Sequence, residues 1–273
     1  MFTFAESMVK DLGLGGELSQ FAVLFSLIFA RVSIAVSLSP FLGGKGTSGR
    51  VKVGLAAVIS ALLFKNIATD YPASLTTLTF LCLLVKEVVI GATLGLLTQF
   101  VFHSVQMAGA LVDYGRGMSQ ATLFAPQLET NTSLLGHLQF QAALVLFLLL
   151  NGHLLFLRAL GQSFFSLPIL SFPAFSGGLT GATDQIAHYT SESLLIAVQL
   201  SAPALLALFL VDVSFGMLGR VASGLNVHNE SQPVKAMVGL AMVLLTLAYI
   251  FNRMPSYFEE VIRQVNEFMQ HLR

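Results

Sequence analysis

The stretch Met107–Leu128 has the sequence MAGALVDYGRGMSQATLFAPQL, and it decides how the rest of the chain is interpreted. Membrane-length apolar runs flank it on both sides, yet it contains several glycines, charged residues and Pro126. Glycine permits backbone conformations that end a helix, and proline cannot continue one. Because unpaired N–H and C=O groups cannot face lipid, this break is expected to be buried in protein or to line an aqueous path. A solvated loop between two spans is the alternative that these residues alone leave open.

The composition is that of a membrane protein. Of the 273 residues, 55% are hydrophobic and 10% are charged, whereas a soluble domain carries about 25% charged residues. We therefore predict a polytopic membrane protein. The formal net charge is zero, which argues against a nucleic-acid partner. The single cysteine, Cys82, excludes an internal disulfide.

Apolar runs indicate where the helices lie. They cover roughly Leu18–Leu38, Val53–Phe64, Leu75–Met107, Ser133–Leu150, Ser193–Leu218 and Ala236–Phe251. The second run is short for a span and is expected to form half of a hairpin that does not cross fully. Lys45, Arg50 and Lys52 place the loop before it in the cytoplasm by the positive-inside rule.

Two charged residues lie inside apolar runs. An ionised group in hydrocarbon costs a few kcal/mol, so Arg31 and Asp212 are each expected to face protein or a wet cavity. For Arg31 the alternative is that the side chain extends toward the headgroups. For Asp212 the alternative is an ion pair with Arg220, two helical turns further along.

The longest apolar run carries a stripe of residues spaced by four. Glu87, Gly91 and Gly95 lie on this stripe and therefore on one helix face. Gly91 and Gly95 form a GxxxG pattern, which lets another helix approach closely. The spacing alone does not decide whether that helix belongs to a partner subunit or to this chain.

The C-terminal end of the chain differs in character. Residues 256–273 place apolar side chains at every third or fourth position with charged residues between them, which predicts an amphipathic helix. Its mixed charge favours a protein partner over a membrane surface. We therefore predict a helical membrane domain over residues 1–255, with the central loop at 107–128, and an amphipathic C-terminal helix over residues 256–273.

The sequence lacks the short motifs of common enzymes. It contains no HExxH, no GxSxG and no Walker A loop. His153 has no second His, Cys or carboxylate at metal-ligand spacing. We therefore expect no enzymatic activity, no metal and no cofactor.

Two other classes of function would assign roles to some of these residues. A secondary transporter would use the break as a discontinuous helix, with Arg31, Glu87 and Asp212 as coupling charges. It predicts inverted internal repeats, and the sequence shows no clear self-similarity. An intramembrane enzyme would need Asp113, Asp212 and His153 to converge, and their spacing does not indicate this.

Seven stretches between about residue 18 and residue 250 occur in a recognisable order. They are ARVSIAVSLSPFLG, GRVKVGLAAVIS, KEVVIGATLGLLTQFVF, AGALVDYGRGMSQATLFAPQ, NGHLLFLRALGQSFFSLP, PALLALFLVDVSFGMLGRVASGLNV and QPVKAMVGLAMVLL. Each is weakly specific by itself, but the ordered set resembles the FliR/SctT family of the type III secretion export gate, which serves flagella and injectisomes. Ala125-Pro126 departs from the Asp-Pro that is frequent in this family, so any role of that acid is absent here.

The resemblance implies an all-α fold of bent helical hairpins within a helical export-gate assembly of the bacterial inner membrane. It implies a non-enzymatic subunit that closes the pore and admits unfolded secretion substrates. The implied partners are subunits of the FliP/SctR and FliQ/SctS types and the FlhB/SctU switch protein, besides membrane lipid.

The resemblance also assigns roles to individual residues. The positions that match the pore plug and its gating region are Gly109, Asp113, Tyr114, Gly115, Arg116, Gly117, Met118 and Phe124. A second set is expected to be buried or to pack against neighbouring subunits: Arg31, Glu87, Gly91, Gly95, Asp212, Arg220 and Lys235.

Overall fold

The computed structural model of the chain describes six ranges, residues 15–44, 47–67, 76–117, 133–172, 178–221 and 227–271. All regular structure in these ranges is helical, and they contain no strand. The helices are α1 (Gly15–Leu38), α2 (Gly49–Ile67), α3 (Thr77–Gly115), α4 (Leu134–Leu149), α5 (Gly152–Ser166), α6 (Gly178–Val221) and α7 (Val227–His271).

The prediction of an all-α polytopic membrane protein is confirmed. Within the described ranges, α1, α3, α6 and α7 each contain a segment long and apolar enough to cross a membrane. The bent pair α4 and α5 counts as a fifth candidate if the two helices form one broken span. α2 extends from Gly49 to Ile67, so it is longer than the apolar run Val53–Phe64 from which it was predicted.

The prediction that the helix ends near Met107 is wrong. α3 continues for 39 residues to Gly115, so Gly109 and Asp113 lie on a helix and not in a loop. The glycines in this part of α3 serve close packing, as described below, and they do not break the helix. Residues 118–132 lie outside the described residues.

The last apolar run and the C-terminal segment belong to a single helix, since α7 extends from Val227 to His271. The division at residue 255 and the amphipathic character of the tail stay predictions.

The chain divides into two compact units. The first comprises Met1–Gln99, Leu155–Ala182 and Gln264–Arg273, and the second comprises Phe100–Leu154 and Thr183–Arg263. α3 contributes residues to both units, because the boundary falls within this helix.

Glycines allow α3 to pack directly on α1 in the first unit. A Cβ atom added to Gly91 would collide with the backbone carbonyl of Arg31, and one added to Gly95 would press on the side chain of Leu38. The side-chain amide of Gln99 donates a hydrogen bond to the carbonyl of Leu38 on the same face. The GxxxG pattern is therefore used within this chain, which decides between the two alternatives that its spacing left open.

The core of the first unit contains a fully buried guanidinium. The Nε atom of Arg31 donates to the carboxylate of Glu87, and both side chains are 0% exposed. Its Nη1 donates to the hydroxyl of Ser163 at 3.1 Å, and its Nη2 donates to the carbonyl of Leu167 at 2.9 Å. The guanidinium carbon also lies 4.1 Å from the centre of the Phe164 ring. Arg31 therefore does not extend toward the headgroups, because its polar groups are satisfied inside the protein.

A second cation completes this cluster. The ammonium of Lys86 donates to the carbonyls of Pro168, Ile169 and Ser171 at 2.8, 2.7 and 3.0 Å. It also lies 2.8 Å from Oε1 of Glu87. These carbonyls lie in the turn that follows α5, which ends at Ser166, and each carries the partial negative charge of a carbonyl oxygen. The carbonyls of this turn thus help a single carboxylate to balance two cations.

This charge balance makes Glu87 the most sensitive member of the cluster. Glu87→Gln leaves two cations buried without a carboxylate, and breaking a buried ion pair in this way costs about 3–5 kcal/mol. Adding Arg31→Met to Glu87→Gln removes one of these cations, so the double variant is expected to be more stable than Glu87→Gln alone. The fraction of detergent-solubilised protein that stays monodisperse after heating measures this order.

The exposed Glu230 offers a matched control. Glu230→Gln makes the same carboxylate-to-amide change and is expected to leave the heating curve unchanged. A double variant no more stable than Glu87→Gln would contradict the proposed balance.

Candidate functional site

The C-terminal end of α3 packs against α4 in the second unit through two glycines. A Cβ atom on Gly109 would lie 2.6 Å from both Cα and N of Gly136. A Cβ atom on Gly136 would lie 2.6 Å from the carbonyl oxygen of Gln106. Neither distance is sterically possible, so the two helix backbones touch only because both residues are glycine. Gly109 is therefore a helix-packing residue.

Asp113 lies one turn further along α3, and its side chain is 6% exposed. Its Oδ2 accepts hydrogen bonds from the hydroxyl of Ser133 at 2.6 Å and from the backbone N–H of Leu135 at 2.8 Å. Its Oδ1 accepts from Nη1 of Arg116 at 3.0 Å. The N–H groups of the first helical turn have no partner within their own helix and carry partial positive charge. Asp113 therefore satisfies the N-terminus of α4 from outside, beside the N-cap residue Ser133.

These contacts connect Asp113 to two segments of the chain, and the residues next to it in sequence do not predict this connection. It binds Arg116 on one side of residues 118–132 and Ser133 and Leu135 on the other. Both ends of that stretch are thus bonded to one carboxylate, and we call these four residues the Asp113 clasp. The sequence-predicted residues Met118 and Phe124 lie outside the described residues.

The side chain of Arg116 crosses α7 at a glycine. A Cβ atom on Gly239 would collide with Cδ of Arg116 and would lie 2.7 Å from its Cγ. The Nε atom of Arg116 is buried and has no hydrogen-bond partner among the described residues. The aliphatic part of the Arg116 side chain therefore fits only because residue 239 has no side chain. Its guanidinium charge is paired with the carboxylate of Asp113.

The residues around Arg116 differ in exposure and conformation. Gly117 has a φ of 78°, a left-handed conformation that favours glycine, and it faces the side-chain amide of Gln232. A Cβ atom on Gly115 would meet the ends of Leu205 and Leu208 at 3.0 and 3.1 Å. Tyr114 is 67% exposed, so the stretch presents one large aromatic side chain outward.

Asp212 forms an ion pair with Lys235 of α7. The alternative of a pair with Arg220 is therefore wrong. Asp212 and Arg220 are about 12 Å apart along the helix axis, whereas α7 passes beside Asp212. Lys235 is buried, but Asp212 and Arg220 are exposed on this chain. The expectation of burial within the chain fails for these two residues, and packing against another subunit stays a prediction.

Sequence reasoning missed Ser133, Gly136 and Gly239. Ser133 directly precedes α4 and is a preferred N-cap residue, so a capping rule could have found it. Gly136 and Gly239 give no local signal, because the groups that need their small size, Gly109 and Arg116, are distant in sequence.

In the described part of the chain, no group of three or more His, Cys, Asp or Glu residues lies close enough together to hold a metal ion. The carboxylate of Asp113 binds the other three residues of the Asp113 clasp, so the arrangement is suited to holding chain segments together.

Comparison with known proteins gives a consistent set of relatives. A sequence model of the bacterial export proteins, family 1, matches residues 22–261. The flagellar biosynthetic protein FliR of Bacillus subtilis (strain 168) is 29% identical over 251 residues, which cover 90% of this chain and 94% of that protein. The Yop proteins translocation protein T of Yersinia pestis is 27% identical over 223 residues, covering 81% of this chain and 84% of that protein. The secretion system apparatus protein SsaT of Salmonella typhimurium is 30% identical over 203 residues, covering 72% of this chain and 73% of that protein.

The match extends over both compact units and nearly all of the membrane-length helices. The names of the relatives describe flagellar biosynthesis, protein translocation and a secretion apparatus. The chain therefore belongs to the bacterial export proteins, family 1, the FliR/SctT family, and is a multi-pass membrane component of a type III export apparatus.

Proposed function

We propose that this chain is a structural and gating subunit of the type III secretion export gate in the bacterial inner membrane. In this role it closes the pore and admits unfolded secretion substrates. Its proposed partners are subunits of the FliP/SctR and FliQ/SctS types and the FlhB/SctU switch protein. The observation that supports gating most directly is the Asp113 clasp, because it fixes both ends of a stretch that contains plug-matching positions.

A gating segment needs an anchor that is firm in the closed state and still reversible. Hydrogen bonds to a charged group contribute about 1.5–3 kcal/mol each. Three contacts to one carboxylate are therefore strong enough to hold a segment and weak enough to be exchanged for other contacts. Fixing both ends of a stretch also reduces the number of conformations that it can sample.

We propose different roles for the plug-matching residues according to their contacts. Gly109 belongs to the crossing of α3 and α4, and its role is packing. Asp113, Gly115, Arg116 and Gly117 form the anchor region at the end of α3. We propose that the residues that follow, including Met118 and Phe124, close the pore, and that the exposed Tyr114 meets another part of the assembly.

The transporter alternative gains no support from the geometry. Arg31 and Glu87 are bonded to each other, and Asp212 is paired with Lys235. Each proposed coupling charge thus has a partner in this chain already. The family of the chain favours export of proteins over transport of a small solute.

Asp113→Asn tests the clasp directly. The amide keeps the size of the carboxylate but loses its charge and one acceptor oxygen, so either Arg116 or the N-terminus of α4 loses its partner. The loss of about 1–3 kcal/mol would shift the ratio of closed to open gates by about 5- to 150-fold. We expect a raised ion leak in cells that express the complete export apparatus, measured as faster collapse of the membrane potential.

Glu230→Gln provides the comparison, because Glu230 is exposed and lies in the same unit. Its leak is expected to equal that of the unmodified protein. If Asp113→Asn assembles normally and shows no more leak than Glu230→Gln, the gating role of the clasp is rejected.

Substitutions at Gly117 test whether its backbone conformation matters for closure. A side chain in the left-handed region costs about 1–2 kcal/mol, least for asparagine and most for a β-branched residue. We therefore expect the leak to increase in the order Gly117→Asn, Gly117→Ala, Gly117→Val. Gly54→Ala is the control, because Gly54 is an exposed helical glycine and an added methyl group would meet nothing within 4 Å. An equal leak for the asparagine and valine variants would show that the φ angle of Gly117 is irrelevant to gating.

A further inference from the structure

One face of α7 borders the end of α3 at two places. Gln232 faces Gly117, and its amide oxygen and nitrogen lie 3.1 and 3.2 Å from the position that a Cβ atom on Gly117 would occupy. About two turns further along α7, Gly239 lies against the side chain of Arg116. The residues at the end of α3 that hold the proposed gating segment are therefore in contact with α7.

The contact with Arg116 is possible at a single position of α7. Gly239 is buried and is the only glycine of this helix. A Cβ atom there would collide with Cδ of Arg116 and would lie 3.2 Å from its Nε. If α7 slid by one helical turn, Lys235 or Val243 would take the place of Gly239. A second cation or a branched side chain at this place would displace the guanidinium from Asp113.

α3 cannot separate the two charged groups by moving as a rigid body. Asp113 and Arg116 are three residues apart at the end of the same helix. The N-terminus of α4 holds the carboxylate through Leu135, whereas α7 lies against the aliphatic part of the arginine. The position of α7 therefore determines whether the guanidinium reaches Asp113.

The contact also contains a feature that makes it reversible. The Nε atom of Arg116 is buried, and no described residue accepts its hydrogen. A buried donor without a partner lowers the stability of the arrangement that contains it. When Arg116 leaves Gly239, this N–H group can be hydrated again, which offsets part of the loss of the bond to Asp113.

We propose that Gly239 is a positioning residue of the gate. It accommodates Arg116 so that the guanidinium reaches Asp113, and it does so in one register of α7 only. Sliding of α7 along the end of α3 releases Arg116 and weakens the Asp113 clasp. The positioning role of Gly239 rests on the proposed gating role of the clasp.

A double-mutant cycle between residues 239 and 116 tests whether Gly239 acts through the arginine. Gly239→Ala adds the methyl group that Cδ of Arg116 excludes, and we expect the ion leak of cells with the complete apparatus to rise at least about fivefold. In an Arg116→Ala background the methyl group has room, so Gly239→Ala is expected to change the leak less than about twofold. Gly54→Ala is the matched control, because Gly54 is a helical glycine with nothing within 4 Å, and it should leave the leak unchanged.

Heating of the detergent-solubilised chain provides a measurement that does not depend on gating. Gly239→Ala is expected to lower the temperature at which half of the protein stays monodisperse when Arg116 is present, but not in the Arg116→Ala background. The gain in helix propensity from alanine is the same in both backgrounds and cancels in the cycle. Equal effects of Gly239→Ala in both backgrounds would mean that Gly239 serves general packing, and they overturn the proposal.

The two measurements separate the positioning role from the gating role. If Asp113→Asn raises the leak and Gly239→Ala does not, the positioning role is rejected and the gating role stands. If neither variant raises the leak while heating shows the coupling, the gating role of the clasp is rejected. Each leak is normalised to the amount of this chain in the membrane, so that a loss of insertion is not counted as an effect on the gate.

A disulfide tests whether opening requires α7 to move. A Cβ atom on residue 239 would lie 2.7 Å from Cγ of Arg116, which is one bond from the Cβ of Arg116. The two Cβ atoms are therefore no further apart than the about 4.5 Å that a disulfide spans. In a Cys82→Ser background, Arg116→Cys and Gly239→Cys are expected to form a disulfide on oxidation, whereas Arg116→Cys and Leu240→Cys, with the exposed Leu240 on another face of α7, are not.

The oxidised pair fixes α7 against the end of α3. We expect oxidation to stop secretion and to lower the leak to that of the unmodified protein, and we expect a reducing agent to restore secretion and to produce the leak of Arg116→Ala. Failure of the pair to form a disulfide, or unchanged secretion when the pair is fully oxidised, overturns the proposal.

Discussion

Polar groups inside a membrane protein must find their partners within protein, because a hydrocarbon environment supplies none. Two arrangements in this chain meet that constraint. In the first unit, the carboxylate of Glu87 and backbone carbonyls that follow α5 balance the cations Arg31 and Lys86. In the second unit, the carboxylate of Asp113 satisfies a guanidinium and the first turn of α4. In each unit, backbone groups at a helix terminus or directly beyond it are partners for a charged side chain.

Glycines make these arrangements possible by bringing backbones into contact. Gly91 and Gly95 bring α3 against α1, and Gly109 and Gly136 bring α3 against α4. The crossing at Gly109 and Gly136 lies one turn from Asp113 and places the N-terminus of α4 within reach of its carboxylate. The close packing of α3 on α4 and the hydrogen bonding of the Asp113 carboxylate therefore depend on the same helix crossing.

The sequence predicted the fold class and most of the helices because apolar runs of membrane length are a strong signal. It misplaced the end of α3 because the glycine at residue 109 was interpreted as a helix break. A glycine can instead remain helical and make room for a neighbouring helix, as Gly109 does for α4 at Gly136. It singled out Asp113 and Arg116 as candidate residues but not Ser133 or Gly239, which contact them from other parts of the chain. It offered Arg220 as an alternative partner of Asp212 because local spacing was the only information available, whereas tertiary contact selects Lys235. Pairings within a turn or two of helix are visible in one sequence, and pairings between helices are not.

The ammonium of Lys86 occupies a position that a free potassium ion could fill in another protein, since three carbonyl oxygens and a carboxylate surround it at 2.7–3.0 Å. A free ion would exchange with the medium and would make the fold sensitive to the salt on either side of the membrane. Lys86 is covalently attached to α3, so its local concentration is fixed by the chain itself. The first unit therefore supplies the cation at this position from its own chain, and no ion from the medium is needed to fill it.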